Sequence, residues 1–311
     1  MAEQRLPKGV RDWFAALDAP IGEIRRSRSG AVIVLGLTPP PGASDLARVV
    51  KLHPAGTDSG ALARRLELAG SPAAAGVLVA PSIAVPLRVP AEVADAWGGP
   101  WEWASVWPRL EVLEVGRSPG RDTWRRIGAL AAELHRLPVP AGTPPAGDLA
   151  RLDRALARLG AAGGVIDDDV GAVLTAGRLA RDALVGCPGS TLVHGDLHLG
   201  QLGRRPGGPW RLMDVDDLGV GCPATDLARP AGFWAAGLLA DSCWAAFVEG
   251  YRRAGGPAIP ADGDPWPALE VHARAAVVVA AAGVLVEATG KPADEGDWAL
   301  VQASHRMLTH I

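Results

Sequence analysis

Cysteine, lysine and long apolar runs are all scarce in this chain of 311 residues. The three cysteines, Cys187, Cys222 and Cys243, form no C-x-x-C pair and are odd in number, so a disulfide framework and a zinc site are both unsupported. The longest apolar run, residues 275–286, has 12 residues, whereas a membrane-spanning helix needs about 20. The charged N-terminus is followed by no apolar stretch of signal-peptide length. We therefore expect a cytoplasmic protein that spans no membrane, with residues 275–286 in a core helix.

An excess of positive charge is also absent. The formal net charge is −3 at pH 7, and neither half of the chain carries the basic field that nucleic-acid or anionic-membrane binding requires. Hydrophobic residues make up 48% of the chain, which is too many for a disordered protein. The length suggests about two domains. Lysine occurs only at positions 8, 51 and 291, so a lysine within a strand is informative here.

The first 116 residues have the pattern of a small sheet. Short β-branched runs between turns predict a three-stranded antiparallel meander over residues 21–53. A helix capped by Thr57 or Asp58 should follow as far as about Leu68. Two more strands are predicted within residues 76–89 and 101–113. Residues 1–116 are therefore expected to form a domain with a five-stranded antiparallel sheet and one helix.

Residues 117–311 have a mostly helical pattern and are expected to form a second domain. The exception is residues 191–221, in which two short apolar strands each end in an acidic turn, and we predict a hairpin that carries the chemistry. The fold class is therefore α+β. The predicted helices cover residues 123–137, 147–162, 168–185, 225–254 and 267–289.

Lys51 ends a strand that is otherwise apolar, V-V-K-L. An unpaired ammonium on a buried strand is costly, so Lys51 must either reach solvent or meet an anion. The following helix contains one carboxylate, Glu67, and a strand lysine paired with a helix glutamate is how kinases direct a lysine onto nucleotide phosphates. Alternatively, Lys51 lies in solvent on an edge strand, and Glu67 is an ordinary exposed helix residue.

The strongest motif is H-G-D-L-H-L-G-Q, residues 194–201. Asp196 follows an apolar strand, Gln201 offers a neutral oxygen five residues later, and a second apolar strand leads to Asp214 and Asp216. Several oxygen ligands at two strand ends suit Mg²⁺, which takes few protein oxygens and keeps its other positions for phosphate and water. One carboxylate, Asp196, is left to accept a hydroxyl proton. The alternative is a pair of acidic turns that only cap a hairpin.

These motifs resemble those of the aminoglycoside phosphotransferase and choline kinase-like superfamily of small-molecule kinases, whose fold is related to that of protein kinases. The resemblance rests on H-G-D-x-x-x-x-[N/Q], on an apolar strand ending in D-x-D, and on G-C-P-A-T-D-L-A at residues 221–228. It extends to V-V-K-L with Glu67 and to residues 129–138, which look like the first helix of the large lobe. It implies a bilobal protein kinase-like fold and an ATP- and Mg²⁺-dependent kinase.

The resemblance also implies roles for individual residues. Asp196 would be the catalytic carboxylate, Lys51 the phosphate-binding lysine and Glu67 its partner. Gln201 and Asp214 would bind Mg²⁺, and Asp216 would assist the metal or the substrate. Asp226, His194 and His198 belong to the same region; the first two are expected to support the catalytic loop, and His198 either supports it or contacts the substrate or phosphate.

The acceptor is less well defined by the motifs. The glutamine form of the loop resembles maltokinases and glucosamine kinases, whereas residues 214–228 look more like the antibiotic kinases. We expect phosphorylation of a hydroxyl on a sugar, an amino sugar or an aminocyclitol, with an antibiotic-modifying kinase and a nucleotide-binding pseudokinase as alternatives. The motifs give no indication of the oligomeric state. Candidates for stacking on a sugar are Trp234, Trp244, Trp266 and Trp298, and candidates for binding an ammonium group are Asp217, Asp241 and Glu249.

Overall fold

The computed structural model describes residues 7–17, 21–26, 32–36, 48–113, 119–146, 148–161, 168–185 and 189–288. The chain divides into two compact units. The first comprises Met1–Val112 and Leu202–Val215, and the second comprises Leu113–Gln201 and Asp216–Ile311. Residues 202–215, which follow the H-G-D loop, thus cluster with the N-terminal part of the chain.

The first unit contains three helices, α1 (Lys8–Ala16), α2 (Ser59–Gly70) and α3 (Ala91–Ala96). Its main sheet is antiparallel, and the spatial order of its strands is β1-β2-β3-β5-β4. The meander and the α+β fold class are confirmed. The strands are β1 (Ile21–Arg26), β2 (Val32–Gly36), β3 (Arg48–Pro54), β4 (Ile83–Arg88) and β5 (Trp101–Pro108).

Helix α2 begins where its cap was predicted. The side chain of Asp58 accepts a hydrogen bond of 3.0 Å from the backbone N–H of Ala61, which satisfies one of the N–H groups that a helix start leaves without a partner. Leu62 and Leu66 are buried on its inner face. The helix therefore follows from a local capping signal and from apolar residues at helical spacing.

The two faces of β3 have different surroundings. Val50 and Leu52 belong to a core cluster that also includes Ala104 and Val106 of β5. Lys51, between them, lies on the opposite face, because successive side chains of a strand alternate. The sheet therefore buries the aliphatic residues on one side and holds the lysine on the other.

The second unit is mostly helical. The predicted helices are observed, except that residues 225–254 form two helices separated around Gly237, whose φ of +76° suits glycine. Helices α4 and α8 pack closely, since a Cβ added to Gly128 would lie 2.1 Å from the carbonyl oxygen of Phe247. The helices are α4 (Arg121–His135), α5 (Asp148–Ala161), α6 (Asp168–Val185), α7 (Ala224–Ala235), α8 (Asp241–Arg253) and α9 (Trp266–Ala288).

Helix α9 contains the long apolar run. Within the described part of the chain, its segment Trp266–Val284 alone is long and apolar enough to cross a membrane, and half of that segment is buried inside the protein. It packs against α5, α6 and α7. This packing is that of the core helix expected from the sequence.

The predicted hairpin over residues 191–221 is wrong in its pairing. The remaining strands are β6 (Glu111–Val112), β7 (Thr191–Val193), β8 (Leu202–Arg204), β9 (Arg211–Leu212) and β10 (Gly219–Gly221). The two apolar strands seen in the sequence, β7 and β9, do not pair with each other. Instead β7 pairs with β10, while β9 pairs with β8, which also pairs with β6. The glycines of β10 gave no apolar alternation, so its pairing could not be read from the pattern.

Candidate active site

Lys51 meets an anion within the first unit. Its Nζ donates a hydrogen bond of 2.6 Å to Oδ1 of Asp214, and the lysine side chain is only 10% exposed. Lys51 lies opposite Ser105 in the register of β3 and β5. Because a buried ammonium is costly without a partner, the ion pair with Asp214 explains how a lysine is accommodated on this strand.

Asp214 follows β9 in an unusual backbone conformation. Its φ is +62°, and it is the one non-glycine residue at positive φ in the described segments. Such a conformation is costly for an L-residue and persists where the surroundings impose it, often at functional sites. The turn thus supports a specific placement of the Asp214 carboxylate beside Lys51.

Glu67 does not pair with Lys51, contrary to the expectation from the sequence. Its carboxylate accepts a hydrogen bond of 2.8 Å from Arg64, and its side chain is 67% exposed. On α2, the buried positions are those of Leu62, Leu66, Leu68 and Ala69, which leaves Glu67 on the solvent side. The carboxylate beside Lys51 comes instead from Asp214, 163 residues away in the sequence.

Asp196 lies in the second unit, in the loop after β7, and it is partly exposed. Its Oδ1 accepts a hydrogen bond of 2.5 Å from Arg151 of α5 and a longer one of 3.5 Å from Arg229 of α7. His198 Nε2 lies 3.7 Å from the other oxygen, Oδ2. Arg151 also donates to Asp217, so a single guanidinium joins two carboxylates.

Asp226 binds the backbone of this loop from the protein interior. It is fully buried, and it accepts hydrogen bonds of 2.7 Å and 2.8 Å from the backbone N–H groups of His194 and Gly195. Gly195 has a φ of +79°, and a Cβ at this position would lie 2.5 Å from the carbonyl oxygen of Asp217. The structure therefore shows the loop-supporting contact expected of Asp226, and it shows why glycine precedes Asp196.

A buried chain of hydrogen bonds extends from Asp226 to α8. Ala258 N–H donates to the hydroxyl oxygen of Tyr251, which lies 2.8 Å from Nδ1 of His135, and Nε2 of His135 lies 3.0 Å from Asp226. Burial raises the pKa of Tyr251, so the phenol keeps its proton. The charged carboxylate of Asp226 can only accept a hydrogen bond. Nε2–H of His135 is then the donor to Asp226.

The electrostatics of Asp226 favour the charged form of its carboxyl group. Burial raises the pKa of this carboxyl, but the hydrogen bond from His135, the neighbouring imidazoles and the N–H group of His194 outweigh that effect. The pKa of Asp226 therefore lies below its ordinary value. As a charged acceptor it makes stronger hydrogen bonds to the loop than a neutral side chain would.

The two histidines of the loop face their own backbone. Nδ1 of His194 lies 3.4 Å from the backbone nitrogen of Asp196, and Nδ1 of His198 accepts a hydrogen bond of 3.0 Å from the N–H of Gly200. Since Nδ1 of His198 is an acceptor, its proton is on Nε2, which faces Asp196. Both rings support the conformation of the loop.

The residues predicted to bind a metal are divided between the two units. Gln201 is buried and ends a 3-10 turn, Leu199–Gln201, in the second unit, and Asp216 lies in the turn Val215–Asp217. Among the described residues, no three His, Cys, Asp or Glu side chains group closely enough to hold a metal by themselves. Mg²⁺ is commonly held by one or two carboxylates plus phosphate oxygens, so the hard oxygens of Asp214 and Gln201 fit it chemically.

Other candidates from the sequence have structural partners. Trp234 stacks on Trp244 with ring centres 5.4 Å apart, and Trp266 meets Trp234 edge-on at 6.0 Å, which makes them members of one aromatic group. Trp298 lies outside the described residues. The carboxylates of Asp217, Asp241 and Glu249 are bonded to Arg151, Trp234 and Arg125, respectively.

Four residues in or near the hydrogen-bond network of the loop were missed. Arg151 and Arg229 are two among 28 arginines, and no motif distinguishes them. His135 stands within the segment recognised as the first large-lobe helix, but its contact with Asp226 spans 91 residues. Tyr251 is the single tyrosine of the chain, which sets it apart in the composition but does not indicate which residue it contacts.

A sheet lysine bonded to an aspartate after a strand, and a second aspartate on a braced loop in a helical unit, are features expected of a kinase-like phosphotransferase. The chain belongs to the phosphotransferase enzyme family, whose model matches residues 41–269. It is therefore a small-molecule phosphotransferase, as the motifs predicted. No curated protein matches the chain by sequence.

Solved structures agree on the fold. A microcompartment-associated aminopropanol kinase is similar with a TM-score of 0.60 and 17% identity, covering 94% of this chain and 93% of that one. The choline kinase LicA from Streptococcus pneumoniae has a TM-score of 0.58 and 12% identity, covering 98% and 99%. Spectinomycin phosphotransferase APH(9)-Ia, in complex with AMP, has a TM-score of 0.55 and 12% identity, covering 96% and 97%. At these identities, each similarity establishes the shared fold.

Proposed function

We propose that this protein transfers the γ-phosphate of ATP to a hydroxyl group of a sugar, an amino sugar or an aminocyclitol. The observation that carries the proposal is the H-G-D loop, in which buried Asp226 fixes the backbone while the carboxylate of Asp196 stays partly exposed. We assign nucleotide binding to residues 1–116 and acceptor binding to residues 117–311. The family membership supports both assignments.

Positioning and electrostatics supply the catalysis in this account. Lys51 neutralises phosphate charge, and its bond to Asp214 shows that it already stabilises an anion in its place on β3. Asp196 orients the acceptor hydroxyl and takes its proton. When bound through Gln201 and Asp214, with Asp216 assisting, Mg²⁺ would add positive charge at the β- and γ-phosphates.

Within this proposal, a neutral sugar is favoured over an acceptor held by its ammonium groups. Asp217, Asp241 and Glu249 were the candidates for binding ammonium, and each already bonds to another side chain. A cationic acceptor would have to displace Arg151 to bind Asp217, or Arg125 to bind Glu249. Hydroxyl-rich acceptors need no such exchange.

The second candidate function is modification of an antibiotic. It is favoured by the D-V-D-D strand end and by the similarity of fold to a spectinomycin phosphotransferase. The two functions differ in acceptor and not in chemistry. A raised inhibitory concentration of one antibiotic in cells that express the protein, absent for the Asp196→Asn variant, would favour this second function.

Acceptor-dependent release of ADP tests the proposal. The panel contains maltose, glucosamine, aminoglycosides, macrolides, choline and aminopropanol, each with Mg²⁺ and ATP. We expect one sugar-like acceptor to raise the rate well above the rate with water alone. Turnover with only an aminoglycoside or a macrolide would favour the second function, and no stimulation by any acceptor would count against both.

Lys51 and Glu67 are expected to differ sharply in importance. Lys51→Met should lower kcat/KM for ATP by about 10- to 100-fold, since hydrogen bonds to charged groups contribute about 1.5–3 kcal/mol. Glu67→Gln should change it by less than about twofold, because the Glu67 side chain is exposed and bonded to Arg64 alone among the described residues. Steady-state kinetics with varied ATP measures both values.

A matched control for this comparison is Lys8→Met, the same substitution at an exposed lysine of α1. It should leave kcat/KM for ATP unchanged. Equal losses in Lys51→Met and Glu67→Gln would show that the two residues act as a pair in the working enzyme, contrary to the contacts described above.

Gln201 should determine the requirement for Mg²⁺. Gln201→Asn shortens the side chain by one bond length, roughly 1.5 Å, and an error of about 1 Å at a reacting centre can cost on the order of a hundredfold. We expect a large rise in the Mg²⁺ concentration for half-maximal rate, with partial rescue by Mn²⁺. An unchanged Mg²⁺ titration in Gln201→Ala would show that Gln201 only stabilises the loop, and it would weaken the similarity to sugar kinases.

A further inference from the structure

The two oxygens of the Asp196 carboxylate have different surroundings. Oδ1 accepts hydrogen bonds from two guanidinium groups, at 2.5 Å from Arg151 and 3.5 Å from Arg229. Oδ2 lies 3.7 Å from Nε2 of His198, a distance beyond an ordinary hydrogen bond.

We propose that Arg151 is the residue that positions Asp196 for catalysis, and that Oδ2 is the oxygen that receives the acceptor hydroxyl. The inference rests on the proposed function, since it assigns a role in the same reaction. Arg151 and Arg229 engage Oδ1 and so fix the rotation of the carboxylate about its Cβ–Cγ bond. The Oδ2 side of the carboxylate, next to His198, thereby faces the acceptor. The proton of the acceptor hydroxyl moves to Oδ2 as the new oxygen–phosphorus bond forms and the bond between the γ-phosphate and ADP breaks.

Arg151 is suited to this role by its second contact. Its Nη1 donates to Asp196 and its Nη2 donates to Asp217, which lies in the turn before β10. A guanidinium is planar and rigid, so two bonds to carboxylates of different segments fix its plane. A lysine has a single compact charge and cannot impose the same geometry on both partners.

The surroundings of this bridge also limit its movement. The Arg151 side chain is 21% exposed, which makes the contact less screened by water than a surface ion pair. Gly195 packs directly against the backbone of Asp217, so the two segments that Arg151 joins are already in contact. The orientation of Asp196 is therefore fixed from two sides: Asp226 binds the loop backbone that precedes it, and Arg151 binds its carboxylate.

The test compares Arg151→Gln with Arg154→Gln, the same substitution at an exposed arginine on the same helix. With the acceptor that the panel identifies, Arg151→Gln should lower kcat by about 10- to 100-fold and change KM for ATP by less than about twofold. Arg154→Gln should match the wild type. Arg151→Lys should recover little of the lost rate, and added methylguanidine should partly restore the rate of Arg151→Ala.

Two outcomes would overturn the inference. A kcat of Arg151→Gln within about twofold of the wild type would show that Asp196 needs no positioning by Arg151. Full activity of Arg151→Lys would show that only the charge matters. Thermal melting of each variant identifies a loss that is due to unfolding. In that case Asp217→Asn, which removes the charge of the second anchor and keeps Arg151, is expected to lower kcat in the same direction.

A readout without turnover separates this inference from the proposed function. Asp196 can be labelled with a water-soluble carbodiimide and glycine ethyl ester, and the labelled peptide can be measured by mass spectrometry. We expect labelling to be several-fold faster in Arg151→Gln than in the wild type and in Arg154→Gln. Equal rates would contradict the inference, whether or not the wild-type protein phosphorylates any acceptor in the panel.

Discussion

Asp196→Asn is expected to lower kcat by about 10²- to 10⁴-fold, the range in which a positioned proton acceptor contributes to catalysis. Asparagine has nearly the same size, so the loop held by Asp226 should keep its conformation. The amide lacks the negative charge that orients the hydroxyl, and it cannot take the proton at Oδ2. Affinity for ATP should stay within about twofold, because Lys51 and its partner are unchanged.

The charge of Asp196 also balances Arg151 and Arg229, so the control must separate charge loss from catalysis. Asp182→Asn removes a carboxylate that is 77% exposed on α6 and should leave kcat unchanged. Measurement of kcat with the identified acceptor and of ATP binding by calorimetry checks both variants. If Asp196→Asn retained more than about a tenth of the wild-type rate, Asp196 would not be the catalytic carboxylate.

Asp226→Ala should give the largest loss of stability. Removal of one partner from a buried charged network costs about 3–5 kcal/mol, because the groups left behind stay buried without an acceptor. Here those groups are the N–H groups of His194 and Gly195 and the imidazole of His135. Asp226→Asn should lose less stability, because its amide oxygen can still accept a hydrogen bond from one backbone N–H of the loop. Denaturant unfolding measures both, with Asp182→Asn within about 0.5 kcal/mol of the wild type.

The contribution of Asp226 to the free energy of unfolding should fall as the pH is lowered. Because its pKa is lowered on folding, the unfolded state binds its proton first as the pH falls. The stabilisation is therefore complete above the unfolded pKa of about 3.9 and is lost as the pH falls towards the folded pKa. The difference in unfolding free energy between wild type and Asp226→Asn should shrink below about pH 4. A difference that grew on acidification would contradict the charged carboxylate.

Local signals predicted the elements that carry the site. The cap of α2 at Asp58 and the alternating residues of β3 are local features, as is the H-G-D sequence, so each was visible without knowledge of the fold. The pairing of β7 with β10 was missed because Gly219, Val220 and Gly221 offer no apolar alternation. Helix α1 was missed because only Val10 and Phe14 of its nine residues are buried.

Partners of the charged side chains could not be predicted in the same way. The pairing of Lys51 was assigned to Glu67 because a glutamate lay on the next helix, but the packing of Leu62 and Leu66 turns Glu67 towards solvent. The contacts of Lys51 with Asp214 and of Arg151 with Asp196 join distant parts of the chain. Such contacts leave no periodicity in the sequence, so only the fold shows them.

The measurement that tests the central claim most directly is transfer of an isotopically labelled γ-phosphate from ATP to an acceptor. With Mg²⁺ and the panel of acceptors, mass spectrometry should find one acceptor that gains a labelled phosphate on a hydroxyl, while Asp196→Asn yields almost none. If the wild-type protein bound ATP but released the label only as inorganic phosphate, or kept it in ATP with every acceptor, the account of this protein as a small-molecule hydroxyl kinase would be contradicted.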